Sequence, residues 1–416
     1  MERRDFLKLA AVGASLPLTG SVLAACGSDG TSTSNATKAP NGKANRKVKL
    51  GFIALTDAAS IIMAKELGYF AERGIDAEVT KQASWPALRD ALLNGQIDAA
   101  HALYTMPFSV ASKIGGAGST DLRIAMILNN NGQGITLAKE FASVGYGDLT
   151  KAKALLASSK APEFAMTFPG GTHDLWLRYW LAACGVDAST LKIGPVPPPQ
   201  MVQNMTVGNV KGYSVGEPWN AVAVTKGIGF TTLATQDLWL HHPEKALVTT
   251  GKFATDQEAT LRDVMGAVLQ ASKWLDEPAN RSKAADTLGQ AQYVNAAPDD
   301  IRGRLTGVYE LGAGLGTKDF KGDQMQFFRD GETNFPRRSY GVWALAQYQR
   351  LGMLKSAPDY SELVDTIMLG DLYAKVAKAE GITVPSDDMS PFEVVLDGVT
   401  FDPAKPELEV ARGTKP

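Results

Sequence analysis

The chain has 416 residues, in which 42 lysines and arginines nearly balance 44 aspartates and glutamates. This balance argues against nucleic-acid binding and against attachment to a membrane surface through charge. A chain of this length exceeds one ordinary hydrophobic core, so we expect two lobes. The sequence contains no C-x-x-C motif or cysteine–histidine cluster, and we therefore expect neither a metal nor a cofactor.

The first 25 residues are interpreted as an export signal rather than as part of the fold. Arg3 and Arg4 lie in a segment that resembles the twin-arginine signal, and the apolar run at 9–25 is short for a membrane span. The sequence Leu-Ala-Ala-Cys that ends at Cys26 resembles a lipobox, in which the cysteine thiol is acylated after cleavage. Residues 26–46 are predicted to form this lipidated cysteine and a flexible tether. The mature protein would therefore stand outside the cytoplasm, anchored to the membrane by lipid.

The first part of the chain alternates apolar runs with helical patterns. Strands are predicted at residues 47–54, 75–79, 97–101 and 122–128. Thr56 or Asp57 is expected to cap a helix, and Pro86 stands in the first turn of another helix, where its missing N–H would be unpaired anyway. The first strand–helix–strand unit has the usual length of a right-handed parallel crossover. An amide-rich turn is predicted at residues 129–134.

A strand, a glycine turn and the start of a helix are predicted within residues 164–185. Thr172 is expected to be the N-cap of this helix, and Asp174 and Arg178 are spaced to form an i,i+4 pair. His173 then lies in the first helical turn. Unpaired N–H groups and the positive end of the helix dipole make such a place receptive to an anion, although a solvated surface cap is the alternative.

The second part of the chain repeats the pattern of the first and then becomes helical. Further strands are predicted within residues 193–196, 208–215, 227–230 and 247–250. The order glycine, polar, β-branched, polar at residues 95–98 returns at residues 208–211, with a helix before it and a proline turn after it in both places. This echo indicates two lobes of similar α/β topology. From about residue 256 the apolar spacing is mainly helical.

Several segments resemble a known family. Gly68-Tyr69-Phe70 with Gly74-Ile75, and the element at residues 95–99, resemble periplasmic solute-binding proteins of ABC importers in the nitrate, sulfonate and taurine group. An ordered string of segments is similar to the nitrate- and bicarbonate-binding branch in particular, namely residues 54–57, 83–85, 131–134, 168–180, 197–201, 215–220 and 242–247.

The resemblance implies an α/β protein with a two-lobed type II periplasmic-binding-protein fold, or Venus flytrap, in which each lobe is a sheet flanked by helices. Residues 47–130 and 250–380 are accordingly assigned to lobe 1, and residues 131–249 to lobe 2. Residues 381–416 are expected to be an extended C-terminal segment. The solute would lie in the cleft between the lobes.

The resemblance also implies the binding residues, because the nitrate contacts of the family fall on Trp85, Gln133, His173 and Lys245. Nitrate is small, flat and accepts hydrogen bonds without donating them, so its site should present donors and positive charge and no free carboxylate nearby. An amide, an imidazole N–H, an ammonium and an indole N–H or flat wall meet that need. Each residue also has an ordinary interpretation when it is taken alone. Gln133 would be a turn residue and His173 part of a surface helix cap. Lys245 would be a solvated charge and Trp85 a core aromatic.

These residues favour a lipid-anchored receptor that delivers nitrate or nitrite to an ABC permease and its ATPase. Bicarbonate is the main alternative: relatives that bind it place a carboxylate near the site, and Glu244 stands one residue before Lys245. An alkylsulfonate would need an apolar subpocket for its tail. An enzyme is not expected, since no nucleophile–base arrangement or phosphate loop occurs. A sensor that binds the anion and signals by protein contact is the third class. His101 and His241 are interpreted as structural.

Overall fold

Two mixed β-sheets, each covered by helices, form the framework of the protein. The computed structural model describes residues 45–158, 160–386 and 388–413. The predicted export signal, Cys26 and all but the last two residues of the predicted tether lie outside the described residues. In the described part of the chain, no helix combines the length and the apolar character needed to cross a membrane.

The strands follow one another through most of the chain. They are β1 (Arg46–Phe52), β2 (Ile75–Lys81), β3 (Ala99–Leu103), β4 (Leu122–Asn130), β5 (Gln133–Ala138), β6 (Phe164–Met166), β7 (Ile193–Pro195), β8 (Gly212–Gly216), β9 (Gly229–Ala234), β10 (Pro243–Thr250), β11 (Val308–Glu310), β12 (Thr317–Asp319), β13 (Phe392–Val394) and β14 (Val399–Phe401). The strand order is β2-β1-β3-β10-β4 in the first sheet and β7-β6-β8-β5-β9 in the second. β11 pairs with β12, and β13 with β14, as separate antiparallel ladders.

The two sheets share one topology. In the first sheet β1 is parallel to β2 and β3, and β10 runs antiparallel between β3 and β4. In the second sheet β6 is parallel to β7 and β8, and β5 runs antiparallel between β8 and β9. The predicted α/β class, with two similar sheets flanked by helices, is confirmed.

The helices cover the faces of the sheets. They are α1 (Ala59–Glu66), α2 (Tyr69–Glu72), α3 (Trp85–Leu93), α4 (Met106–Ala111), α5 (Leu149–Leu156), α6 (Thr172–Ala183), α7 (Met201–Thr206), α8 (Trp219–Thr225), α9 (Gly251–Asp256), α10 (Glu258–Asp276), α11 (Pro278–Leu288), α12 (Pro298–Thr306), α13 (Arg338–Arg350), α14 (Tyr360–Ile367), α15 (Gly370–Ala379) and α16 (Pro406–Ala411). Because helices cover both sides, strands such as β3 are buried along their whole length.

The chain passes from the first sheet to the second through a short link. Asn131 and Gly132 have φ values of 60° and 94°, so the link turns within two residues through the left-handed region. The predicted turn at residues 129–134 is therefore shorter than expected, because β4 extends through Asn130. The side-chain oxygen of Asn131 accepts a hydrogen bond of 2.9 Å from the backbone N–H of His241, which lies on the segment that returns to the first sheet. The two segments that connect the sheets, at residues 131–132 and around His241, are thus hydrogen-bonded to each other.

The returning strand corrects one boundary of the predicted lobes. The assignment of residues 131–249 to lobe 2 puts most of β10 in the second lobe, whereas β10 pairs with β3 and β4 in the first sheet. β10 is buried along nearly its whole length, as expected of a strand that lies inside a sheet with both faces covered. The rest of the division into lobes stays a prediction.

The C-terminal segment is not extended as predicted. It contains the hairpin β13–β14 and helix α16, which packs on α13. Phe392 stacks on Trp239 with ring centroids 4.4 Å apart, and Glu409 accepts a 3.0 Å hydrogen bond from Arg350. The aromatic residues of this segment gain burial by folding back, which explains why the segment adopts regular structure.

Candidate functional site

The four predicted binding residues lie together in one buried cluster. Lys245 Nζ is 3.5 Å from His173 Nε2 and 5.8 Å from the centroid of the Trp85 ring. Gln133 Nε2 and Lys245 Nζ both donate to the carboxylate of Glu244. Trp85, Gln133, His173 and Lys245 each have 0% of their surface exposed. Residues that are 160 positions apart in the chain, Trp85 and Lys245, therefore belong to one buried cluster.

Elements of both sheets end at this cluster. Trp85 is the first residue of α3 and Lys245 lies in β10, both on the side of the first sheet. Gln133 is the first residue of β5, and His173 is the second residue of α6, on the side of the second sheet. Ends of strands and starts of helices are where open α/β sheets hold their ligands.

The start of α6 differs in detail from the prediction. Gly171, rather than Thr172, is the N-cap, with extended backbone and no side-chain cap. The carboxylate of Asp174 instead accepts a 2.9 Å hydrogen bond from the backbone N–H of Gly170 and a 2.7 Å bond from Arg178. The predicted pair of Asp174 and Arg178 is thus present, and it supports the turn that presents His173.

A β-bulge brings two consecutive residues of β10 into the cluster. Successive side chains of a regular strand point to opposite faces, so Glu244 and Lys245 would normally separate. The pairing of β10 with β4 shifts register on both sides of Lys245. Such a shift marks a bulge, which re-aims side chains. Both side chains consequently point into the same cluster. The cluster therefore contains both the lysine expected of a nitrate site and the carboxylate expected of a bicarbonate site.

Glu244 is the acceptor at the centre of the cluster. Its Oε2 accepts from Gln133 Nε2, and its Oε1 accepts from Lys245 Nζ and, at 3.1 Å, from His173 Nε2. A carboxylate thus stands among the predicted binding residues, and it is paired rather than free. Burial raises the pKa of the Glu244 carboxyl, and the charge of Lys245 opposes that rise.

His173 is held in a neutral state. Burial, followed by the charge of Lys245, lowers the pKa of its imidazole well below the usual value. Its Nδ1 lies 2.6 Å from the hydroxyl of Thr167. A neutral ring with its proton on Nε2 satisfies both neighbours, since the Thr167 hydroxyl donates to Nδ1 and Nε2–H donates to Glu244. His173 can therefore offer a neutral N–H donor to a ligand.

Asp57 and His101 also belong to the cluster, whereas the sequence predicts a helix cap for Asp57 and a structural role for His101. Asp57 Oδ2 accepts a 2.8 Å hydrogen bond from Lys245 Nζ, and its Oδ1 lies 2.6 Å from His101 Nε2. Burial would raise the pKa of Asp57, but Lys245 and His101 outweigh it and lower that pKa to about 2. Asp57 stays ionised and holds the ammonium in place.

A signal for Asp57 was present in the sequence. Asp57 follows the carboxyl end of β1, where ligands gather in open α/β sheets. It was predicted as a helix cap, but the 3-10 turn Thr56–Ala58 precedes α1, and neither has a side-chain cap. Asp57 is fully buried and contacts both Lys245 and His101, so a role restricted to capping does not describe it.

Two polar atoms of the predicted site have no hydrogen-bond partner among the described residues. These are Nε1 of Trp85 and Oε1 of Gln133, both buried. Buried polar groups are normally paired, so an unpaired indole N–H at the edge of a charged cluster points to a ligand or an ordered water. The Trp85 ring also lies 5.7 Å from the ring of His101, which closes one wall of the cluster.

The arrangement can bind a small acceptor of hydrogen bonds. It offers N–H donors of four chemical types in one buried cluster, with carboxylates that are already hydrogen-bonded. Within the described ranges, no group of three or more histidine, cysteine, aspartate and glutamate side chains is placed to hold a metal ion.

Comparison with known proteins identifies a family, several relatives and a similar solved structure. Residues 41–289 match the model of the NMT1-like family. The chain is 39% identical to the nitrate/nitrite binding protein NrtA of Synechococcus elongatus, over 97% of this chain and 96% of that protein. It is 29% identical to the bicarbonate-binding protein CmpA of Synechococcus elongatus, over 87% of this chain and 85% of that protein. The crystal structure of the periplasmic nitrate-binding protein NrtA from Synechocystis is similar with a TM-score of 0.84 and 35% identity, covering 88% of this chain and 97% of that one.

Proposed function

This chain belongs to the NMT1-like family, and from that premise we propose that it is the extracytoplasmic solute receptor of an ABC importer. Its solute is a small oxyanion, nitrate or nitrite, bound in the cluster around Lys245. The observation that carries the proposal is the convergence of Gln133, His173 and Lys245 on one buried point. The role is binding and delivery, without catalysis.

Nitrate fits the donors of this cluster. It is planar, carries a single charge and only accepts hydrogen bonds, so each of its oxygens needs an N–H. Lys245 supplies a charge-assisted hydrogen bond, and Gln133 and His173 supply neutral ones. Trp85 adds an indole N–H that has no partner in the described structure. Similarity over nearly the whole chain to a protein named for nitrate and nitrite supports the same assignment.

Bicarbonate is the second candidate, and Glu244 is the observation that favours it. Bicarbonate carries a proton, so its hydroxyl needs an acceptor in the site. Glu244 lies fully buried in the cluster and provides one. The identity to the bicarbonate-binding relative is lower, at 29% against 39%, which places nitrate first.

The proposed location follows from the family and from the N-terminal sequence. Export by the twin-arginine route through Arg3 and Arg4, and a lipid anchor on Cys26, would place the receptor beside its permease. The partners are then the permease and the ATPase subunits of the importer. Changing Cys26 to serine tests the anchor, because the protein should then leave the membrane fraction.

A calorimetric titration of the purified protein tests the proposed ligand. Nitrate, nitrite, bicarbonate and taurine are compared at one pH and one ionic strength. We expect nitrate or nitrite to bind most tightly, with taurine showing no heat of binding. Tighter binding of bicarbonate than of nitrate would transfer the assignment to the second candidate, and binding of taurine alone would overturn both.

A further inference from the structure

The donors proposed for an external anion are already engaged by an internal one. Gln133, His173 and Lys245 all direct their nitrogen atoms at the carboxylate of Glu244. A carboxylate resembles nitrate in being flat, singly charged and acceptor-only when ionised. Glu244 therefore occupies the hydrogen-bonding positions that an incoming anion requires.

The charged groups around Glu244 disfavour a second anion while Glu244 is ionised. Lys245 and His173 face Glu244 directly, Asp57 shares Lys245 with it, and His101 contacts Asp57. His242 lies two residues before Glu244, and burial lowers its pKa to about 4. Burial also lowers the pKa of His101 and of His173.

With these histidines neutral, two ionised carboxylates face one ammonium in this cluster, among the residues that the structure describes. A further negative charge without compensation is costly in a site that excludes water. The electrostatics therefore require that the arriving charge be matched by the loss of a charge already present.

We propose that binding of an acceptor-only anion is coupled to the uptake of one proton from solvent by the Glu244 carboxylate. Gln133, His173 and Lys245 then pass their hydrogen bonds to the anion, and the new O–H of Glu244 is a donor in its turn. The net charge of the cluster is unchanged, because the charge of the anion replaces that of Glu244. This inference rests on the proposed function.

Glu244 is favoured over the other groups of the cluster as the proton acceptor. Asp57 is bound by Lys245 and by His101, and these partners lower its pKa to about 2. Burial favours the protonated form of both carboxyls, but in Glu244 it outweighs the charge of Lys245, so the pKa of Glu244 is raised. The histidines resist protonation for the same reason, since burial disfavours their charged form.

Calorimetric titration with nitrate in two buffers of different ionisation enthalpy measures the protons taken up. Between pH 5 and pH 9 we expect a range in which the wild-type protein binds about one proton with each nitrate. In that range the Kd should rise about tenfold for each unit of pH, because a proton that is present only in the complex becomes harder to supply. Glu244→Gln should bind nitrate with no proton uptake and with a Kd that is nearly independent of pH.

The controls separate this inference from the proposed function. Glu78→Gln removes an exposed carboxylate in β2 and should show the proton uptake and the Kd of the wild type. Infrared difference spectra of the wild type should gain the C=O band of a protonated carboxyl on binding, which decides the question if Glu244→Gln does not fold. Nitrate binding without proton uptake at any pH, or uptake that persists in Glu244→Gln, would overturn the inference and leave the proposed function intact. Absence of nitrate binding to the wild type would instead remove the proposed function.

Discussion

Lys245 is the residue on which the attraction for an anion depends most directly, since its ammonium is the positively charged donor of the cluster. A charge-assisted hydrogen bond contributes roughly 1.5–3 kcal/mol. Lys245→Ala should therefore raise the Kd for nitrate roughly 10- to 150-fold, as measured by calorimetry. The substitution also leaves Asp57 and Glu244 without their shared cation, so thermal unfolding should occur at a lower temperature.

Lys245→Arg is the matched control for this substitution. It keeps the charge and donors within the same bulge of β10, so both the affinity and the stability should fall less than in Lys245→Ala. A folded Lys245→Ala protein that binds nitrate as well as the wild type does would place the anion elsewhere.

At the scale of secondary-structure elements, the end of β8 sets the width of the site. A Cβ on Gly216 would lie 3.1 Å from Asp57 Oδ2 and 3.5 Å from His173 Nε2. Gly216→Ala should therefore crowd the cluster, lower the free energy of unfolding by roughly 1–3 kcal/mol and weaken nitrate binding. Denaturant unfolding and calorimetry measure the two effects.

The same sheet offers a control for this prediction. Gly194 in β7 has no atom within 4 Å of an added Cβ, so Gly194→Ala should change neither quantity. Equal behaviour of the two alanine variants would show that the backbone of β8 does not limit the size of the ligand space.

At the scale of the whole molecule, the buried site implies movement. Hydrogen bonds join elements of the two sheets near the site: Thr105 Oγ1 donates to the carbonyl of Gly170 at 2.9 Å, and Trp219 Nε1 donates to the carbonyl of Ala54 at 2.9 Å. An anion can reach residues with no exposed surface only after such contacts open. Small-angle scattering should therefore show a smaller radius of gyration with saturating nitrate than without it.

Trp219→Phe tests one of these contacts. Loss of the indole N–H removes a hydrogen bond of the closed form, and a net contribution of about 0.5–1.5 kcal/mol corresponds to a Kd roughly 2- to 13-fold higher. Trp274→Phe, in α10, is a control that should leave the Kd unchanged. An unaltered radius of gyration despite confirmed binding would show that entry does not require separation of the two sheets.

The C-terminal third illustrates where prediction from the sequence stopped. Its helical spacing was recognisable, but its position depends on contacts far apart in the chain. The hydroxyl of Tyr348 in α13 donates to the carbonyl of Thr105 at 3.0 Å, and α13 also packs against α6. Local periodicity indicates which face of a helix is apolar and leaves open which surface covers it.

The sequence by itself determined the α/β class, the order of most elements and four residues that the fold brings together. The class and the order of the elements follow from local rules, since apolar periodicity, glycine turns and capping residues act over a few positions. The four residues came instead from the resemblance to the solute-binding family. Only the tertiary structure decided that Glu244 and Lys245 face the same space, because a bulge depends on the register of β10 against β4. Only the tertiary structure placed Asp57 beside Lys245, 188 positions away in the chain. Burial made these distant charges interdependent, because a charge removed from water must find its partner within the fold.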